Sequence, residues 1–228
     1  MNRTLYGLCG ADHRPFSPHV WKTMLSLAHK GLEYNKQFVG FTQIPSIENG
    51  ATALVPVLRD GNELIRDSFD IALYLEEAYP DRPSLFGGEG GKAMARFIES
   101  WSQLTLHSAI VRIVLVDIHD QLAPVDQTFF RSTREPRFGM SLEAVAEAGI
   151  EELKTFAAKL EPLRTTLKKQ PFIGGETPLF SDYIVFGPLQ WARVVSQTRL
   201  LEPGDPVLDW FERCLDLHNS AGRSVTAA

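Results

Sequence analysis

The proline inside Leu54-Val55-Pro56-Val57-Leu58 constrains this chain more than any other residue. Proline has no amide hydrogen to give to a strand ladder, so Pro56 must stand at the first residue or edge of its strand, where a cis bond is expected. Such a bond turns the Val55 N–H and C=O outward, free to pair with the backbone of a ligand as an added strand would. A turn at Asp60-Gly61 follows, and then Ile65-Arg66-Asp67-Ser68 leads into an apolar-periodic helix. At that helix start the Ser68 N–H and hydroxyl offer an anion site, while Asp67 can take an ammonium. One end of the ligand is therefore amino-acid-like.

The elements around this grip follow from hydrophobic spacing. Thr4 to Leu8 reads as a strand, Pro18 to Lys30 as a helix closed by Gly31, and Tyr34 to Val39 as a second strand. Gly40 to Thr52 carries Pro45 and Asn49-Gly50 and is expected to be a loop. Pro56 to Arg59 and Glu63 to Arg66 form a hairpin, and Asp67 to Tyr79 a closing helix. The order βαβ, loop, ββα matches a small thioredoxin-like α/β domain over residues 1–80. Residues 81–91, opening with Asp81-Arg82-Pro83, form the expected linker. Residues 92–228 read as an all-α bundle, with one long helix from Lys92 to His119, another from Leu142 to Lys169 packed on it, and further helices at Ser181 to Gln197 and Val207 to His218.

Composition excludes several function classes. Among 228 residues, 44% are hydrophobic and 22% charged, an ordinary globular balance that supplies ample core for two domains. A formal net charge of −5 disfavours nucleic acid or an anionic membrane as partner, because such binding depends on a basic excess. No apolar run approaches a membrane span, and Met1-Asn2-Arg3-Thr4 leads straight into a strand pattern, so a cytoplasmic protein is expected. Cys9 and Cys214 lie far apart and define neither a disulfide framework nor a metal site.

Val55-Pro56, Asp67-Ser68 and, upstream, Ser17-Pro18 together resemble the glutathione site of the cytosolic glutathione transferases. The resemblance implies that Val55, before Pro56, pairs with the cysteinyl backbone of glutathione and that Asp67 and Ser68 hold its γ-glutamyl end. Gln43 is a further candidate, for the glycyl end or for a backbone group near it. The chemical problem is then the thiol, which at an ordinary pKa of about 8.5 is only about 3% thiolate at pH 7. Ser17 precedes a proline favoured at the first helical position, so it should cap a helix whose positive end faces the ligand, with a hydroxyl able to donate to the thiolate. A cysteine before that proline would form a mixed disulfide with glutathione; serine cannot, which favours attack on an electrophilic carbon.

The segments Ser17-Pro18-His19-Val20-Trp21-Lys22, Ile118-His119-Asp120-Gln121, Phe130-Arg131-Ser132-Thr133-Arg134-Glu135 and Tyr183-Ile184-Val185-Phe186-Gly187 are similar to those of the bacterial β-etherases and their fungal relatives. That branch implies a homodimer and an aromatic electrophile, with β-aryl ether cleavage as the first expectation. Transfer or peroxidase chemistry on halides, isothiocyanates or hydroperoxides is the alternative within the class. A non-catalytic binding or scaffold protein is the alternative outside it. The second substrate is expected between the domains, among Cys9, Phe16, Trp101, His107, Ser108 and Val111, with Trp191 divided between pocket and core. Arg131, Arg134 and Arg137 form a basic run, read either as a loop paired with Glu135 or as a group that neutralises a carboxylate substrate. The branch normally has Ser or Thr three residues before Asp182; Leu179 stands there, leaving Thr177 or Ser181 to cap the helix.

Overall fold

The computed structural model describes residues 3–228. Strand β1 (Arg3–Leu8) lies between β2 (Asn35–Val39), parallel to it, and β3 (Val57–Asp60), antiparallel to it; β4 (Glu63–Arg66) closes the sheet in the order β2-β1-β3-β4. Helix α1 (Pro18–His29) makes the parallel crossover, and α2 (Ser68–Ala78) follows the hairpin. Leu5 and Leu58, paired across β1 and β3, are fully buried, as are Val20, Trp21, Leu25 and Leu27 of α1 and Ile71 and Leu75 of α2. This is the thioredoxin-like arrangement expected. The Val55–Pro56 bond is cis.

The helical domain follows. It comprises α3 (Glu89–Trp101), a π-helical turn over Ser102–His107, α4 (Ser108–Asp120), α5 (Pro124–Phe138), α6 (Leu142–Lys159), α7 (Glu161–Leu167), α8 (Phe180–Val195) and α9 (Pro206–Ser220). Four details depart from the sequence reading. The segment expected as a loop contains a 3₁₀-helix over Phe41–Asn49, because its amides find partners locally and in α5 rather than in solvent. The helix expected from residue 92 begins at Glu89 and passes through the π turn before continuing to Asp120. The helix expected to run from 142 to 169 breaks at Leu160, where Pro162 in the first turn of α7 has no N–H to continue the ladder. The arginine run lies on a helix, α5, which begins with Pro124 at its first position and ends at Gly139 in the left-handed conformation.

The two domains share one core. Trp21 of α1 meets Phe186 of α8 edge-on at 6.1 Å, and Phe69 of α2 meets Phe180 at 5.3 Å. Gly187 makes this approach possible: a Cβ there would lie 2.4 Å from the Pro18 carbonyl oxygen. Gly187→Ala is expected to cost about 1–3 kcal/mol by forcing α8 off α1, read as a drop in the urea midpoint. Neither Thr177 nor Ser181 caps α8. The Asp182 carboxylate itself accepts from the Leu179 amide at 3.0 Å.

Candidate functional site

Ser17 is the N-cap of α1, with Pro18 at the first helical position, and its Oγ accepts from the Val20 amide at 3.4 Å. The residue is 5% exposed, so its hydroxyl sits at a helix terminus screened from bulk water. Val55 precedes β3, and among the described residues its backbone amide and carbonyl take no hydrogen bond. Asp67 caps α2 from a left-handed backbone, φ 69°, its Oδ1 accepting from Phe69 at 2.7 Å and Asp70 at 3.4 Å. Ser68 beside it is buried, and its Oγ has no partner. These three positions present what a peptide-like ligand needs: an open backbone pair, an unpaired hydroxyl and a carboxylate at a helix start.

Other sequence candidates divide. Gln43 is exposed in the 3₁₀-helix and its Oε1 accepts from the Gly40 amide at 3.1 Å. Cys9 is buried, and burial with the nearby Asp12 and Asp126 charges pushes its thiol up to about 11, so it stays protonated. Phe16 is buried beside Ser17, 6.3 Å from the Phe41 ring. Trp101 and Val111 pack, half-buried, against the core. Ser108 is exposed and its hydroxyl donates to the Leu104 carbonyl of the preceding π turn at 2.5 Å.

His107 does reach the start of α1. Its ring lies 5.4 Å from His19 and 4.9 Å from Trp191, whose buried indole Nε1 has no partner. His19 was not legible as a site residue, although it stands two residues after Ser17. Burial, then the Lys22 charge, then His107 lower the His19 pKa to about 3. Burial, Lys22 and Arg137 lower that of His107 to about 4. Both rings are neutral at physiological pH. Lys22 itself is buried against Glu99 of α3, at 3.4 Å, with the Asp67 charge acting on it.

A second histidine pair joins the domains further along α1. The Tyr183 hydroxyl lies 2.7 Å from His29 Nδ1 and 2.8 Å from His218 Nε2. A hydroxyl carries one hydrogen, so it donates to one ring and accepts from the other, and neither ring needs a charge. Burial lowers His29, and burial followed by the His29 charge lowers His218 to about 4. In the unfolded chain each histidine titrates near 6.5. Below that pH the unfolded state takes protons that the fold refuses, so stability is complete above about 6.5 and falls as the pH drops toward 4. For His218 the loss is at most about 1.4 kcal/mol per pH unit across that window, reduced by its partial exposure, and His29 adds to it in the same direction. Thermal midpoints measured from pH 7.5 to 4.5 should fall steeply below 6.5; a flat profile would show that these rings protonate without cost.

Two open cavities lie elsewhere. One, about 520 Å³, is lined by Asp117, Gln121, Val195 and Thr198, and the other, about 450 Å³, by Leu189, Leu201, Leu208 and Phe211. Neither is lined by a residue that the sequence assigned to the ligand. Among the described residues no cluster of His, Cys, Asp or Glu is placed to hold a metal ion, and no helix is long and apolar enough to cross a membrane.

Family models for the glutathione S-transferase N-terminal domain and C-terminal domain match residues 13–83 and 93–215. The chain belongs to the glutathione S-transferase family. The glutathione S-transferase-like protein ustS of Aspergillus flavus is 24% identical over 211 residues, covering 78% of this chain and 75% of that protein. Among solved structures, glutathione transferase GSTFuA3 of Phanerochaete chrysosporium superposes with a TM-score of 0.76 at 26% identity, covering 98% of this chain and 94% of that one. CsGST63524 of Ceriporiopsis subvermispora, solved in complex with glutathione, superposes at 0.78 with 24% identity, covering 96% and 97%.

Proposed function

We propose that this protein is a glutathione transferase in which Ser17 stabilises the glutathione thiolate for attack on a hydrophobic aromatic electrophile. The observation that carries the reading is the placement of Ser17 as the buried N-cap of α1, with its hydroxyl at the positive end of the helix. Val55 supplies the backbone pair for the cysteinyl residue, Pro56 shapes that turn, and Asp67 with Ser68 receives the γ-glutamyl ammonium and carboxylate. The glutathione held by the Ceriporiopsis relative supports the ligand assignment. Gln43 secures the backbone beside the glycyl end.

For the etherase-like reaction, the sulfur lone pair forms a C–S bond at an sp³ carbon next to a carbonyl. The C–O bond breaks and the aryloxide departs with its electron pair, while the thiol proton passes to solvent. The same thiolate would serve other carbon electrophiles. The protein acts as a homodimer in the cytoplasm on this reading, and the apolar stripe Met94, Phe97 and Leu104, more than half exposed on one side of α3 and the π turn, is the face the partner covers.

A hydroxyl donor and the helix terminus together contribute about 1–3 kcal/mol, or roughly one to two pKa units. The ultraviolet thiolate absorbance of bound glutathione, titrated with pH, should therefore show a midpoint near 7. Binding with a midpoint left near 8.5 would favour the non-catalytic alternative.

A further inference from the structure

Helix α5 carries the arginine run, and the structure separates its members. Arg131 is spent on carboxylates, 2.6 Å from Glu135 and 2.7 Å from Glu143. Arg134 is not. Its guanidinium lies over the rings of Phe41, at 5.2 Å, and Phe130, at 4.9 Å, and its one hydrogen-bond partner among the described residues is the neighbouring Thr133 hydroxyl. Arg137, one turn on, is exposed and forms no hydrogen bond or ion pair with the described residues. Asp126, the buried carboxylate of the same helix, is occupied by the Thr42 amide at 2.7 Å.

These arginines are linked through aromatic rings to the residues beside Ser17. Contacts run from Phe16, next to Ser17, to Phe41, from Phe41 to Arg134, and from Arg134 along the helix to Arg137. The Arg137 charge reaches His107, His107 lies against His19, and His19 returns the circuit to the first turn of α1. The circuit starts at Phe16 and ends at His19, the residues on either side of Ser17 and Pro18 at the helix terminus where the thiolate is proposed to sit. The charges acting on His19, His107 and Arg134 within it are cations, Lys22 and Arg137, with no carboxylate among them. Only Lys22 is compensated, by Glu99 and Asp67. A guanidinium stacked on aromatic faces, with one Nη on the Thr133 hydroxyl and no carboxylate partner, suits a planar carboxylate next to a ring.

We propose that Arg134 and Arg137 form an anion subsite for the second substrate, so that the electrophile is an aromatic compound carrying a carboxylate or a comparably acidic group. The inference rests on the transferase reading, since it places the charged end of the electrophile relative to the thiolate. The one other source of the same chemistry in this site is the glycyl carboxylate of glutathione itself.

Two stable conjugates decide the matter without turnover: S-(4-carboxybenzyl)glutathione and its benzoate methyl ester, titrated calorimetrically beside glutathione alone. The wild type should bind the carboxylate about tenfold more tightly than the ester. Arg137→Gln, at an exposed position with no hydrogen bond or ion pair to the described residues, should remove most of that preference, and Arg134→Lys, which keeps charge but loses the fork, should reduce it. Affinity for glutathione should stay within twofold in both. Equal binding of the two conjugates by the wild type overturns the subsite. A loss in the variants that falls equally on glutathione and both conjugates also overturns it, and assigns the arginines to the glycyl carboxylate. Failure of the wild type to bind glutathione at all overturns the transferase reading together with the inference, whereas glutathione binding without the preference overturns the inference alone.

Discussion

Asp182→Ala is expected to lower the stability of this protein by about 3–5 kcal/mol, the largest loss among the substitutions considered. The Asp182 side chain is fully buried, and its two oxygens accept from the Ile173 amide at 2.7 Å, the Gly174 amide at 2.9 Å, the Leu179 amide at 3.0 Å and the Trp210 indole at 2.9 Å. One carboxylate thus ties the loop before α8, the first turn of α8 and the side of α9. Burial pushes its pKa up while the four donors pull it down. Alanine would strand all four donors in a dry environment, where each unmade bond costs about 1–3 kcal/mol before relaxation. Against a typical total of about 5–15 kcal/mol, that brings the fold close to its limit. Asp182→Asn should recover only part of the loss, because the amide nitrogen can accept nothing from these donors. Urea unfolding followed by tryptophan fluorescence checks this, and a loss below about 1 kcal/mol would mean that water replaces the carboxylate.

The second large effect falls on chemistry. Ser17→Ala should return the bound thiol part of the way toward its ordinary pKa near 8.5 and lower kcat/KM at pH 7 by about 5–10-fold, the rate equivalent of the roughly 1 kcal/mol that the hydroxyl supplies beside the helix terminus. The same substitution removes the Oγ that accepts from Val20 at 3.4 Å, a long bond whose loss costs about 1 kcal/mol of stability or less. Ser17→Thr separates the two roles. A threonine keeps both hydroxyl and cap and should retain the lowered thiol pKa. An alanine variant with unchanged thiolate absorbance would leave the helix terminus alone as the stabilising group and remove Ser17 from the mechanism.

The thioredoxin-like domain was legible in the sequence because its signals are local. Strand alternation, the Asp60-Gly61 turn, a proline barred from a ladder and Asp67 at a helix start each act within a few residues, and the elements formed where those signals stand. Helix α5 was hidden for the converse reason. Pro136 lies inside it, and of its apolar residues Val125, Phe129, Phe130 and Phe138 the first two are exposed, so no buried stripe marks it and the arginines read as a loop. What holds it helical is tertiary, namely Phe41 and Phe130 in contact at 5.5 Å and the Asp126 carboxylate on the Thr42 amide. His19, His29, Lys22 and His218 were illegible as a group because each gains meaning only from a neighbour many residues away across the domain boundary. The bond from Ser108 to Leu104 was equally out of reach, because helical spacing gives a residue's face but not what its hydroxyl bonds to.

The π turn at Ser102–His107 has a consequence for how this protein can change over evolutionary time. A π turn holds one residue more than the α-helical turn it replaces, and an α-helix advances about 100° per residue. One extra residue forced into an unbroken α-helix would rotate α4 by roughly that angle relative to α3 and turn the buried row Ala109, Ile110, Val114 and Ile118 off the core. The wide turn absorbs that residue instead, and closing it as an ordinary α turn would leave the phase of α4 nearly unchanged. Substitutions along this rod test single contacts, whereas this turn is where one residue can be lost without re-aiming the helical domain. Descendants of this chain can therefore shed a residue there more readily than elsewhere along the rod.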